Sequence, residues 1–191
     1  MSEFINGVND TIKIGDEVFI PLLTEAKIQA RIKELAAQIS NDYRGRVPVF
    51  IGVLNGSFIF MSDLIKWVDL DCEIDFFKLS SYGDAKISSG KVTLLKELNC
   101  DVTDRDIIIV EDIVDSGLSV KYIENLFAEN NPKSMKLVTL LTKPDNRKYE
   151  VKIDYIGFDI PNKFVIGYGL DYAQKYRNLR SIYVLDDGEG I

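Results

Sequence analysis

The chain has 191 residues, 46% of them hydrophobic, with 23 Lys and Arg against 30 Asp and Glu for a formal charge of −7, two cysteines and no histidine. The missing histidine excludes Ser-His-Asp and Cys-His nucleophile systems, His-ligated zinc or haem and an imidazole base, so acid–base work must fall to carboxylates, Lys, Tyr or Cys. The length fits one domain with a sizeable core, and the acidic balance gives no global attraction to nucleic acid or an anionic membrane, which leaves a small molecule as the expected partner.

Cys72 and Cys100 stand far apart, offering neither a disulfide framework nor a CxxC metal pair. The N-terminal MSEFINGVND carries acidic residues and no apolar targeting run, and nowhere do about 18 apolar residues follow one another, so a soluble cytoplasmic protein is expected. Without repeats, low-complexity stretches or a visible linker, residues 1–191 read as a single unit.

From Thr24 to Tyr43 the apolar residues Ile28, Ile32, Leu35, Ala36 and Ile39 recur at helical spacing and predict an amphipathic helix. Val47 to Leu54 is a short apolar, β-branched run ending at Asn55-Gly56, as a buried strand would. Ser57 to Val68 reads as a helix buried nearly all round or lying at a subunit interface, with Ser62, Asp63 and Lys66 as its narrow polar stripe. Two strands, Cys72–Ser80 and Lys91–Leu98, flank a polar segment whose composition predicts a mobile loop.

The most regular unit follows. Ile107–Val110 is a wholly apolar strand, Leu118 to Asn130 carries Val120, Ile123 and Phe127 at helical spacing, and Leu137–Leu141 is apolar again. Strand, helix and strand over about 30 residues make a right-handed βαβ crossover and hence a parallel sheet. Asp154–Ile160, Phe164–Tyr168 and Ser181–Leu185 supply further short strands, and the fold class is α/β.

Ligands of open parallel sheets sit beyond the carboxyl ends of the strands, where this crossover carries Glu111-Asp112-Ile113-Val114-Asp115-Ser116-Gly117-Leu118-Ser119. Three carboxylates within five residues repel one another unless cations or hydroxyl donors answer them. The small residues directly after them open a helix, whose free N–H groups and dipole favour a phosphate. A ribose phosphate satisfies both halves. The plainer alternative makes Asp115 or Ser116 the helix N-cap and leaves the other acids as solvated loop charges.

This run resembles the phosphoribosyl pyrophosphate (PRPP) motif of the type I phosphoribosyltransferases, in the form of their 6-oxopurine branch. Four other segments agree in the expected order. Val53-Leu54-Asn55-Gly56-Ser57-Phe58 resembles the family's pyrophosphate loop, in which a cis peptide, here Leu54–Asn55, turns backbone amides toward the pyrophosphate; some relatives carry a basic residue at Asn55. Ser80-Ser81-Tyr82-Gly83 resembles the flexible loop that closes over the site, with Ser81 and Tyr82 as its Ser-Tyr pair. Lys143, at the end of the crossover's second strand, matches the lysine that donates to the purine 6-oxo group. The segment Lys163 to Leu179 is similar to the family's C-terminal signature, in which Phe164 stacks on the purine, the backbone of Val165 pairs with the base edge, Asp171 binds Mg²⁺ and Arg177 contacts pyrophosphate. The chain departs at Arg180, where many relatives have proline.

The resemblance implies a twisted, mainly parallel sheet flanked by helices, with a core over about residues 45–160 and a small hood from about 1–25 and 160–191. It implies transfer of a 5-phosphoribosyl group from PRPP to N9 of hypoxanthine or guanine. Glu111 and Asp112 would orient the ribose hydroxyls and, with Asp171, neighbour Mg²⁺; Ser116, Gly117, Leu118 and Ser119 would hold the 5-phosphate; Leu54, Asn55, Gly56 and Arg177 would face the pyrophosphate; Asp115 would act as base at purine N7. A homodimer or homotetramer is implied as well, with no nucleic-acid or membrane partner. Two alternatives stand beside it. One is a PRPP-binding regulator with the same fold and no transferase activity; the other is a plain flavin- or nucleotide-binding module. For the phosphorylated substrate that the resemblance implies, the positive charge would come locally, from Mg²⁺, Lys143, Lys163, Arg177 and backbone amides, while Asp186, Asp187 and Glu189 are expected to form a solvated acidic tail.

Overall fold

The computed structural model describes residues 11–81, 92–96 and 98–188. A six-stranded sheet carries the site. In chain order its strands are β3 (Val49–Leu54), β4 (Glu73–Ser81), β5 (Val92–Lys96), β6 (Asp106–Val114), β7 (Ser134–Thr142) and β8 (Tyr155–Asp159), arranged spatially as β5-β4-β3-β6-β7-β8. Five of them run parallel, and β5 lies antiparallel on the β4 edge. Helices α1 (Glu25–Asp42) and α2 (Phe58–Ile65) cover one face and α3 (Leu118–Ala128) the other. A second, antiparallel sheet orders β1 (Ile12–Ile14), β2 (Glu17–Leu23), β10 (Ile182–Leu185) and β9 (Val165–Ile166) as β1-β2-β10-β9, around a small core of Phe19, Ile166 and Tyr183.

The apolar patterns account for this layering. Ile108 and Val110 of β6 enter the core beneath α1 and α2, while Ile107 and Ile109 enter the one beneath α3. A strand covered on both faces has no solvent side and so shows no alternation. Helix α1 buries the five residues its periodicity selects, and Thr24 caps it by accepting from the Lys27 amide at 3.4 Å.

Several boundaries differ from the pattern, each for a local reason. Strand β6 continues past Val110 to Val114, because Glu111, Ile113 and Val114 pair with Thr139, Leu141 and Thr142 of β7, and ladder bonds are indifferent to side-chain charge. The ordered turns of α2 end at Ile65; Trp67 and Val68 donate instead to the carbonyls three residues earlier. Helix α3 stops at Ala128, ahead of Asn131 with φ +47 and of Pro132. Strand β9 is only two residues long, because Gly167, Tyr168 and Gly169 all take positive φ and turn the chain away. Strands β1 and β2 are additional to the elements that the pattern marks. Phe58 and Trp67 are 43% and 48% exposed, so the α2 segment is not buried all round. Among the described residues no helix is long and apolar enough to cross a membrane.

Candidate active site

The site is built where β6 ends. Glu111 is 5% exposed, and among the described residues no donor answers its carboxylate. Burial pushes that carboxyl well above the ordinary range, and the Asp112 charge pushes the same way. Burial also drives Asp112 up to about 6, against the opposing effect of the Ile113 amide, which donates to Asp112 Oδ1 at 3.0 Å, and of the Arg177 guanidinium. Two carboxylates held out of water with little internal compensation are suited to a ligand that brings hydroxyl donors or a cation. The other Asp112 oxygen occupies the space a Cβ at Gly56 would take, so only glycine lets the β3–α2 turn approach this carboxylate.

Past Val114 the chain turns into α3 through Gly117, which takes φ +85 and is the N-cap without a side-chain bond. A Cβ there would come within 3.0 Å of the Tyr149 carbonyl oxygen. The capping alternative for Asp115 therefore fails, while Ser116 Oγ accepts from the Leu118 amide at 3.3 Å. Asp115 turns toward the β7–β8 loop instead. Its Oδ2 accepts from Lys143 Nζ at 3.1 Å, and its Oδ1 from Asn146 Nδ2. A cleft of about 270 Å³ is lined by Val53, Leu54, Gly56, Leu79 and the whole run from Glu111 to Val120. It thus joins the acidic run, the small-residue turn and the β3–α2 turn in one concavity.

The Leu54–Asn55 peptide is cis, at the position the pyrophosphate-loop resemblance marks. Ser57 is fully buried and closes the turn by donating from Oγ to the Val53 carbonyl at 2.7 Å. The C-terminal loop rests directly on this turn: Gly169 has φ +100, and a Cβ on it would overlap the carbonyl oxygen of Gly56. Arg177 holds that loop together. Its Nη1 donates to the Gly169 carbonyl at 2.7 Å, and its Nη2 contacts Gln174 Oε1 at 3.1 Å and Asp171 Oδ1 at 2.7 Å. Asp171 Oδ2 accepts from the Gln174 amide. Among the described residues no three Asp, Glu or Cys side chains form a group able to hold a metal ion, so Asp171, Glu111 and Asp112 do not make a protein-only cage.

At the other end, Lys143 is 7% exposed, Val165 is buried and paired with Val184, and the Phe164 ring stays 43% exposed. Phe164 stands edge-on to Tyr172 and Phe19, at centroid distances of 5.8 and 6.2 Å. Ser81 is the last residue of β4, and Tyr82 lies outside the described residues. Lys163 is paired with Asp187 at 2.6 Å, so neither serves as the free pocket charge or the solvated tail charge that the sequence suggests. Arg180 reaches Glu25 at 3.4 Å in an exposed pair, beside Ser181 Oγ, which accepts from the Glu25 amide; the loop thus leaves against the start of α1.

Two features escape sequence reading. Asn146 has a signal only in the turn-forming Pro144-Asp145-Asn146, which does not reveal its partner 31 residues away. Asp63 reads as a solvated stripe residue but accepts from the Tyr168 hydroxyl at 2.5 Å and from Gln29 at 2.7 Å, tying α2 to the C-terminal loop and α1. Burial and the Asp63 carboxylate push the Tyr168 hydroxyl far up.

Residues 22–173 match the phosphoribosyl transferase domain, and the chain belongs to that family. The hypoxanthine-guanine phosphoribosyltransferase of Bacillus subtilis strain 168 is 50% identical over 164 residues, which are 86% of this chain and 91% of that protein. The bifunctional protein TilS/HprT of Listeria monocytogenes serotype 4b is 48% identical over 86% of this chain, which spans 25% of that longer protein. A crystal structure of a hypoxanthine phosphoribosyltransferase from Staphylococcus aureus superposes with a TM-score of 0.82 at 43% identity, covering 90% of this chain and 94% of that one. The fold is that of the type I phosphoribosyltransferases.

Proposed function

We infer that this protein transfers the 5-phosphoribosyl group of PRPP to N9 of a 6-oxopurine, hypoxanthine or guanine, giving IMP or GMP and pyrophosphate in purine salvage. The observation that carries the reading is the buried Lys143 ammonium held 3.1 Å from Asp115 beside the anion cradle. A 6-oxopurine that reacts through N9 presents an acceptor at O6 and an N–H at N7. Lysine only donates and a carboxylate only accepts, so the pair complements that edge and mismatches a 6-amino group.

The bond from ribose C1 to the pyrophosphate oxygen breaks, the N9–C1 bond forms, and the N7 proton passes to Asp115. Phe164 offers its exposed ring to the base, and the Val165 backbone lies along the base edge. Glu111 and Asp112 take the ribose hydroxyls, whose donors relieve two carboxylates that burial has left short of partners. The 5-phosphate lies against the amides from Ser116 to Ser119. The amides of Leu54, Asn55 and Gly56, with Arg177, face the departing pyrophosphate. By the family resemblance, Ser81 and Tyr82 would help to exclude water from the reacting centre.

Mg²⁺ fits the donor set. Asp171, Glu111 and Asp112 carry hard oxygen donors that would hold the ion only together with substrate oxygens and water, since they form no three-carboxylate group of their own among the described residues. Bound there, it would neutralise charge on the pyrophosphate. A cytoplasmic homodimer or homotetramer completes the reading; the exposed Phe58 and Trp67 at the ends of the α2 segment favour self-association.

Asp115→Asn tests the assignment of the base: kcat falls by ~10²–10⁴ while KM for PRPP stays near the unsubstituted value. Undiminished turnover would remove Asp115 from that role.

A further inference from the structure

We propose that Asn146 is a positioning residue for Asp115, fixing the plane of its carboxylate for uptake of the purine proton; this rests on the reading of Asp115 given above. The loop after β7 folds back over the residues after β6. Lys143 N donates to the Val114 carbonyl at 3.0 Å, and the amides of Lys148 and Tyr149 donate to the Ser116 carbonyl at 3.0 and 3.1 Å. Between these anchors Pro144–Asn146 form a 3₁₀ turn with proline in its first turn, closed by Asn146 N on the Lys143 carbonyl at 3.2 Å. The turn presents the Asn146 side chain to Asp115 Oδ1, while Lys143 Nζ holds Oδ2. A carboxylate accepts and does not donate, so the amide nitrogen must be the end facing it.

The Asp115 side chain is 44% exposed, and water competes for both oxygens. One donor would leave the carboxylate free to rotate about Cβ–Cγ; donors on both oxygens fix its plane. Lys143 cannot do this alone, because its ammonium also serves the purine O6. Asn146 supplies the second hold as a neutral group, without another cation beside an atom that must accept a proton.

The test is a double-mutant cycle of Asn146→Ala and Asp115→Asn, with hypoxanthine as acceptor. Asn146→Ala lowers kcat about tenfold with KM for PRPP within about twofold, and in the Asp115→Asn background it changes kcat less than about twofold. Equal losses in both backgrounds would mean that Asn146 acts through the loop rather than through Asp115, overturning the proposal while leaving the base intact. Unchanged kcat in Asn146→Ala alone would overturn it too. Full turnover in Asp115→Asn alone would instead overturn the base assignment, and this proposal with it.

Discussion

Asp112 is a carboxylate placed against its own preference. Its carboxyl lies at about 6 in the folded chain against an ordinary 3.8, chiefly through burial. A raised carboxyl contributes its stability in full below the ordinary value and loses it as pH rises through about 6, so the ligand-free protein is weakened by this residue at neutral pH. Asp112→Asn removes that loss. We expect the variant to unfold at a higher temperature than the parent at pH 7.5, by an amount equivalent to about 1–3 kcal/mol, to differ little from it at pH 4, and to lose affinity for PRPP. Melting curves at the two pH values check this, and a lower melting temperature at pH 7.5 would contradict it. At this scale the acidic run and the Phe164–Arg177 string stand out in the sequence as contiguous motifs, and Lys143 only as a lone lysine at the end of a predicted strand. Asn146 and Asp63 were not legible, because each is defined by a partner more than 30 residues away, Asp115 for one and Tyr168 and Gln29 for the other.

Between elements, the decisive contact is backbone on backbone. The turn after β3 and the turn after β9 meet at Gly56 and Gly169, with no room for a methyl group on either. This seats the loop that carries Asp171 and Arg177 over the proposed pyrophosphate site. Gly169→Ala forces the two turns apart and also strains a residue at φ +100. The expected result is a rise of tenfold or more in KM for PRPP, with a smaller change in the affinity for the purine measured alone; unchanged KM for PRPP would show that the contact does not position this loop. The main sheet was legible because β3, β6 and β7 are apolar runs between turn residues. Strands β1 and β2 were not, since most of β2 is half-exposed, it contains Pro21, and its register is set by β10 some 160 residues later.

For the whole molecule, a charge of −7 does not bar a phosphorylated substrate, because the proposed Mg²⁺, the site cations and backbone amides act at short range. At the site Lys143 is paired with Asp115 and Arg177 with Asp171, beside the amides of two turns, while Lys163 and Arg180 are engaged further out by Asp187 and Glu25. The exposed Phe58 and Trp67 predict that sedimentation finds a dimer or tetramer at micromolar concentration and that charging both positions dissociates it; a monomer in the unsubstituted protein would exclude that assembly. The central claim is tested most directly by incubating the purified protein with PRPP, Mg²⁺ and hypoxanthine, guanine or adenine in turn, and identifying the nucleotide and pyrophosphate formed. The account predicts IMP and GMP in amounts equal to the pyrophosphate released, little or no AMP, and loss of product when a chelator removes the metal. Absence of nucleotide from any base would contradict it and leave a PRPP-binding protein without transferase activity.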